Sequence, residues 1–214
     1  MSPFPVVLSA PSGGGKTTVT KLLMGRRPGL GYSVSCTTRA PRPGEVDGED
    51  YCFLTEQEFL DRRDRGEFAE NALVHGRRYG TLKSAVQTVL DAGRHVMMDI
   101  DVQGAAQFAV AYPHAVLIFL LPPSVDVLVQ RLVARQTEDR AALLTRLHSA
   151  RAELQDVDRY HYVVVNDALE EAVERVGSII DAEERKRERI TGLDVQVAGL
   201  IDRLEQEITS FSKA

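Results

Sequence analysis

The sequence predicts an α/β protein built on a parallel sheet flanked by helices, and three observations carry that prediction. Short apolar runs recur at Pro5 to Ser9, His95 to Asp99, Ala115 to Leu121 and Tyr162 to Asn166. Each has the length and the continuous apolar character of a strand buried on both faces, as in parallel sheets. A helical pattern follows each run, the alternation that places helices outside such a sheet. Between the first run and its helix stands Ala-Pro-Ser-Gly-Gly-Gly-Lys-Thr, Ala10 to Thr17, a glycine-rich turn of the kind that cradles phosphate.

Taken in order, the first strand runs into that loop, and a helix is expected from Lys16 to about Met24. In such a loop, backbone N–H groups at a helix N-terminus wrap the phosphates, the lysine reaches the β/γ-phosphates, and the following hydroxyl meets Mg²⁺. Gly15, Lys16 and Thr17 fit the pattern G-x-x-x-x-G-K-[ST], while Ala10 stands where its first glycine belongs. Residues 32 to 79 then break the strand–helix rhythm. Tyr32 to Ser35 and Phe68 to Val74 look β-like, Pro41 to Gly44 forms a turn, and Thr55 with Glu58 reads as a capping box opening a short helix. We expect an inserted, mixed α+β subdomain here.

Leu82, Ala85, Val86, Val89 and Leu90 predict a helix from Thr81 to Ala92, with Gly93 as its C-terminal cap. Ser124 opens another, with Val125, Leu128, Val129 and Leu132 on one face. Arg135 to Thr145 is a polar break with the composition of a lid. After Asp181 a charged helix, Glu183 to Arg189, is expected to run to an interruption near Gly192. Leu193, Val197, Leu200, Leu204 and Ile208 then mark an amphipathic tail, suited to docking on the parent domain or to self-association.

The bulk properties narrow the function. A net charge of −5 over 214 residues gives no overall attraction to nucleic acid, so any phosphate site must be local. The longest apolar run, Ala115 to Leu121, is far below the ~20 residues of a membrane span, and no leader pattern opens the chain. A cytoplasmic protein without membrane or nucleic-acid partners is expected. Cys36 and Cys52 lack the spacing of a redox or zinc motif and argue against a disulfide framework.

A phosphate loop alone permits many chemistries, and the Asn-Lys-x-Asp signature by which GTPases read guanine is absent. The segment Ser35 to Tyr51 is more informative. Its turn brings Arg39 and Arg42 together, with Tyr51 following on a strand, and two guanidiniums with a phenol make a receptor for a second phosphate group. This segment resembles the GMP-binding region of guanylate kinases. The similarity continues through Phe68 to Glu70, Tyr79 to Thr81, Asp99 to Gly104, Pro122 to Ser124 and Val165 to Asp167, covering about residues 4 to 187.

The resemblance implies ATP plus GMP giving ADP plus GDP, with dGMP left open as an acceptor. Glu70 matches the carboxylate that accepts guanine N1–H and the N2 amine together, and Ser35 and Thr81 match hydroxyls that complete base recognition. Tyr79 joins Arg39, Arg42 and Tyr51 at the GMP phosphate. Ser12, Gly13, Gly14, Gly15, Lys16, Thr17 and Thr18 would hold ATP phosphates, with Asn166 near the adenine. Asp99 is assigned, with Thr17, to Mg²⁺ or its waters, and Asp101 to the nucleoside. Arg135 and Arg146 match lid arginines that, with Lys16, neutralise the transferring phosphoryl group, and Arg131 is a weaker candidate. Gln136 and Arg78 depart from the family pattern.

The implied division is a kinase-like domain over 1–187, with core segments 1–32, 82–134 and 147–187, a GMP-binding insert 33–81 and a helical lid 135–146. A tail, 188–214, follows. The alternatives are a sugar-phosphate kinase, which would not need Glu70 and Ser35, and a peptide-binding module, which would not need Lys16, Thr17 and Arg146.

Overall fold

The computed structural model describes residues 2–74, 76–134 and 140–212. Its contacts divide the chain into two units, Pro3–Ser178 and the segment from Ile179 onward together with Ser2.

In the larger unit, β1 (Pro5–Ser9) leads into α1 (Lys16–Arg26), then β2 (Leu30–Tyr32), β3 (Cys36–Thr37), β4 (Cys52–Phe53), α2 (Glu56–Asp64), β5 (Phe68–Val74), β6 (Arg77–Leu82) and α3 (Lys83–Asp91). There follow β7 (His95–Met98), α4 (Val102–Ala111), β8 (Val116–Leu121), α5 (Val125–Val133), α6 (Arg140–Leu154), β9 (Tyr162–Val165) and the start of α7 (Leu169–Glu184), whose last residues, with α8 (Leu193–Ser212), belong to the smaller unit. A parallel sheet runs in the order β2-β7-β1-β8-β9. The expected α/β class is therefore present, with one strand more than the four apolar runs announced. Leu30–Tyr32 pairs with β7 in parallel, Leu30 opposite His95 and Tyr32 opposite Met97. It is only three residues long and contains Gly31, which leaves no apolar run to read. Gly31 is needed, because a Cβ there would stand 2.4 Å from Val89.

Alternation across the sheet is clean at its centre. Val7, Val96, Met98 and Leu117 pack with Val86, Val89, Ala105 and Phe108 of α3 and α4. Their neighbours Val6, Leu8, Met97 and Ile118 are equally buried on the other face, where α1 packs on β1 and β2. The outer strand β9 departs from the expected double burial, since Val163 and Val165 are exposed.

A second sheet, β4-β3-β6-β5, carries its own small core. Cys36, Phe59 and Phe68 are buried together, with the Phe59 and Phe68 rings stacked at 4.4 Å. The Thr55 capping box closes as expected, its hydroxyl accepting from Glu58 N–H while the Glu58 carboxylate accepts from Thr55 N–H. Helix α4 lies against β5, and the Gln107 side chain both accepts from and donates to the Asn71 backbone, at 3.1 and 2.8 Å. That reciprocal pair satisfies polar groups on an edge strand and joins the two sheets.

Two expected boundaries move, and one expected helix face differs. The helix expected from Thr81 begins at Lys83, because Thr81 and Leu82 stay paired to β5; Gly93 does end it, at φ 73°. Ser124 caps α5 by accepting from Val127 N–H, and Leu128 and Leu132 are buried, but Val125 points outward. In the smaller unit the charged helix stops at Glu184. Lys186 and Arg189 turn back onto the buried Glu183 carboxylate at 2.7 and 3.0 Å, which neutralises it. Every apolar residue expected on the tail lies on α8, and no residue of that helix is buried.

Candidate active site

The phosphate loop is shaped by three glycines for two different reasons. Gly13 and Gly15 have φ of 84° and 91°, a region that excludes most side chains. Gly14 donates its N–H to Pro11 O at 2.7 Å, and a Cβ on it would stand 2.6 Å from the Ala10 methyl. Ala10 can replace glycine because position 14 has no side chain. The first turn of α1 contains no acidic residue and has no side-chain cap, so its N–H groups remain for an anion. Lys16 Nζ lies 3.4 Å from Ala10 O at the edge of this nest.

Asn166, at the end of β9, donates its amide to Gly14 O at 2.8 Å and is buried. The amide braces the loop from below, at a position where a Cβ on Gly15 would collide with it. Ser12 is held from α6, its N–H donating to Glu153 Oε2 at 2.7 Å and its hydroxyl accepting from Arg146 Nε at 3.3 Å. Arg146 is only 9% exposed. Arg131 donates to Asn166 O at 3.0 Å, and its other terminal nitrogen is buried with no hydrogen-bond partner among the described residues. The expected lid residues Arg135 and Gln136 lie outside the described residues.

Asp99 stands just past β7, beside the loop. Thr17 Oγ1 donates to its Oδ2 at 2.7 Å, and the Tyr32 hydroxyl donates to its Oδ1 at 2.6 Å. Burial first, and then the Asp99 charge, hold the Tyr32 phenol protonated well above its ordinary range. Asp101 caps α4, its Oδ1 accepting from Gly104 N–H at 2.8 Å. Thr18 is exposed on α1.

The second sheet presents the other cluster. Glu70 on β5 is 4% exposed, and its Oε1 accepts from Thr81 Oγ1 at 2.6 Å, with Ser35 Oγ a further 3.5 Å from that hydroxyl. Burial pushes the Glu70 carboxyl up to about 7, opposed by the Thr81 hydroxyl and assisted by Asp101. Gly104 of α4 makes room for it, since a Cβ there would meet Glu70 Oε2 at 2.6 Å. Arg39 is locked bidentately on Glu45, at 2.9 and 2.8 Å, and lies 5.3 Å from the Tyr51 ring centre. That fork, with Arg42 N–H donating at 2.7 Å, holds the Glu45 carboxyl down near 2. The Tyr51 and Tyr79 rings meet edge to face at 6.0 Å. The Arg42 guanidinium is exposed. Arg78 pairs with Glu56 of α2 at 2.5 Å, which gives that departure a role in holding α2 on the sheet.

The structure thus gathers Lys16, Thr17, Asp99 and Asn166 around one loop, and Glu70, Ser35 and Thr81 around one buried carboxylate. Sequence reasoning did not assign Tyr32, Gly104, Glu45 or Glu153. Gly104 lay inside the quoted segment Asp99 to Gly104, but only its packing on Glu70 gives it meaning.

A family model described as guanylate kinase matches residues 2–183. The guanylate kinase of Thermotoga maritima is 46% identical over 197 residues, 90% of this chain and 95% of that one. The guanylate kinase of Rhodopseudomonas palustris is 46% identical over 200 residues, 93% and 91% of the two chains. Among solved structures, a guanylate kinase from Anaplasma phagocytophilum superposes with a TM-score of 0.74 at 34% identity, covering 90% of this chain and 92% of the other.

Proposed function

This chain belongs to the guanylate kinase family, and from that premise we propose how its own residues divide the work of phosphorylating GMP with ATP. The reaction gives ADP and GDP. The phosphate oxygen of GMP attacks the γ-phosphorus as the bond to the β-phosphate oxygen breaks. Its nucleophile is already an anion, so positioning and charge neutralisation dominate over base catalysis.

The donor half is the loop Ser12 to Thr18, with Lys16 drawing the phosphates in and Asn166 keeping the loop in shape. The residues present fit Mg²⁺. Thr17 and Asp99 offer hard oxygen donors side by side, and Mg²⁺ takes most of its remaining ligands from water and substrate phosphate. When bound, the ion would neutralise charge on the transferring phosphoryl group. Arg146, held at the loop by Ser12, adds positive charge from α6.

The acceptor half is the insert 33–81. Arg39, Arg42, Tyr51 and Tyr79 take the GMP phosphate, and Glu70 with Ser35 and Thr81 takes the base, Asp101 completing the nucleoside contacts. Glu70 carries this reading. Guanine offers two adjacent donors to one carboxylate, whereas adenine would leave that buried group unpaired, a mismatch that can cost ~10⁴ in selectivity.

The compartment is read as cytoplasmic; among the described residues no helix is long and apolar enough to cross a membrane. The exposed apolar row of α8 is read as a surface for a second copy, checked by sedimentation of the full chain. The functional test is ADP release with ATP and Mg²⁺, comparing GMP, dGMP, AMP, UMP and ribose phosphates. GMP should be turned over far faster than AMP. Equal rates would remove the guanine assignment, and no turnover with any acceptor would favour the peptide-binding module.

A further inference from the structure

Two thiols that appear unrelated in sequence are neighbours in the second sheet. Cys36 of β3 and Cys52 of β4 are direct partners in a parallel pair, framed by Cys52 N–H donating to Ser35 O and Leu54 N–H to Thr37 O, both at 2.9 Å. Registered residues on adjacent parallel strands put their side chains on one face, with Cα atoms about 4.8 Å apart. That spacing falls inside the roughly 4.4–6.8 Å range of disulfides. Both cysteines are free; Cys36 is fully buried beside Phe59 and Phe68, and the partly exposed Cys52 packs against it.

From this pairing we infer that Cys36 and Cys52 form a redox-sensitive dithiol, closed to a disulfide by a peroxide and reopened by a dithiol reductant, which tunes GMP binding. The loop so closed contains Arg39, Arg42, Glu45 and Tyr51, and Ser35 lies just before it. β4 is a two-residue edge strand and the freer of the two, since β3 is also paired to β6. Cα atoms at that spacing need little backbone travel, so closure swings the two sulfurs to about 2.05 Å and fixes β4, with Tyr51 just before it, to β3.

The chemistry balances with hydrogen peroxide as oxidant. The Cys52 sulfur, the accessible one, attacks the O–O bond, giving a sulfenic acid and releasing water. The Cys36 sulfur then attacks that sulfur, and the expelled hydroxide leaves as a second water with the Cys36 proton. Two thiols and one peroxide become one disulfide and two waters, the peroxide taking both electrons. Burial pushes the Cys36 thiol up to about 12, so the more accessible Cys52 and not Cys36 meets the peroxide first.

The thiol chemistry stands on the register alone, whereas its effect on GMP rests on the functional reading above. The full chain is treated with hydrogen peroxide, alkylated under denaturing conditions, and examined by intact mass and non-reduced peptide mapping, with steady-state kinetics in parallel. We expect a loss of two hydrogens, a Cys36–Cys52 linked peptide, and a KM for GMP raised roughly tenfold, the order expected when positioned groups shift by a fraction of an ångström or more. The KM for ATP should hold, and dithiothreitol should restore the GMP value. Cys52→Ser should show neither change while keeping the reduced enzyme's kinetics. Cys36 still open to alkylation after oxidation, or a link joining two chains, would overturn the pair. A disulfide with unchanged KM for GMP would overturn the switch. Failure of the reduced enzyme to phosphorylate GMP would instead count against the functional reading.

Discussion

The Tyr32 hydroxyl donates to Asp99 Oδ1 at 2.6 Å, from the end of the strand next to the one that carries Asp99. Thr17 takes the other carboxylate oxygen. A carboxylate has about four acceptor positions, so two remain for metal-bound water while the two hydroxyls fix its plane. Tyr32→Phe removes one hydrogen bond to a charged group, a loss of about 1.5–3 kcal/mol. Turnover should fall roughly tenfold or more by that measure. The half-saturating Mg²⁺ concentration for ADP binding, followed by calorimetry, should rise while GMP affinity holds. An unchanged Mg²⁺ dependence would remove Tyr32 from this role.

Glu70 gives a signed pH dependence. Its folded value of about 7 lies above the ordinary 4.5, so between these the folded protein keeps a proton that the unfolded chain has released. Stability from this group is complete below pH 4.5 and lost as pH rises through 7, by an amount of about 3 kcal/mol. GMP binding runs the other way, because only the carboxylate accepts both guanine donors. The KM for GMP should rise roughly tenfold per pH unit below 7. Denaturation and kinetics across pH 4.5–8 check both, and Glu70→Gln should flatten both profiles.

Gly104 separates packing from function. Alanine is the better helix former by about 1 kcal/mol, so Gly104→Ala should not lower the melting temperature through the helix itself. Its methyl would press on Glu70 Oε2. We expect a KM for GMP raised about tenfold or more, with the KM for ATP unchanged. Equal effects on both substrates would mean that the clash spreads into the fold.

Asn166→Ala leaves Gly14 O without its buried donor, a cost of about 1–3 kcal/mol. For a protein of this size, that is a melting temperature lower by roughly 2–12 °C. The KM for ATP should rise and that for GMP should not; the reverse pattern would place Asn166 outside the donor site.

What could be read from the sequence was what is local. The loop from Ala10 to Thr17 is one contiguous signal, and Thr55 with Glu58 closes a box within one turn. Leu30–Tyr32, a three-residue strand with a central glycine, has no periodicity to read. The helical spacing from Leu82 to Leu90 extends to Thr81 on the sequence alone, yet pairing to β5 holds Thr81 as strand beside Glu70. Tyr32 on Asp99, Gly104 under Glu70, Glu153 on Ser12 and Cys36 beside Cys52 all depend on which strands and helices become neighbours. Residue spacing along the chain carries no record of that.

The central claim is that one buried carboxylate, Glu70, reads guanine. The measurement that tests it most directly is the ratio of kcat/KM for GMP to that for AMP, in the wild type and in Glu70→Gln at pH 7.5. The wild-type ratio should be of order ~10⁴ and should fall by about two orders of magnitude or more in the variant, with the KM for ATP unchanged. A variant that discriminates GMP from AMP as well as the wild type does would contradict the claim.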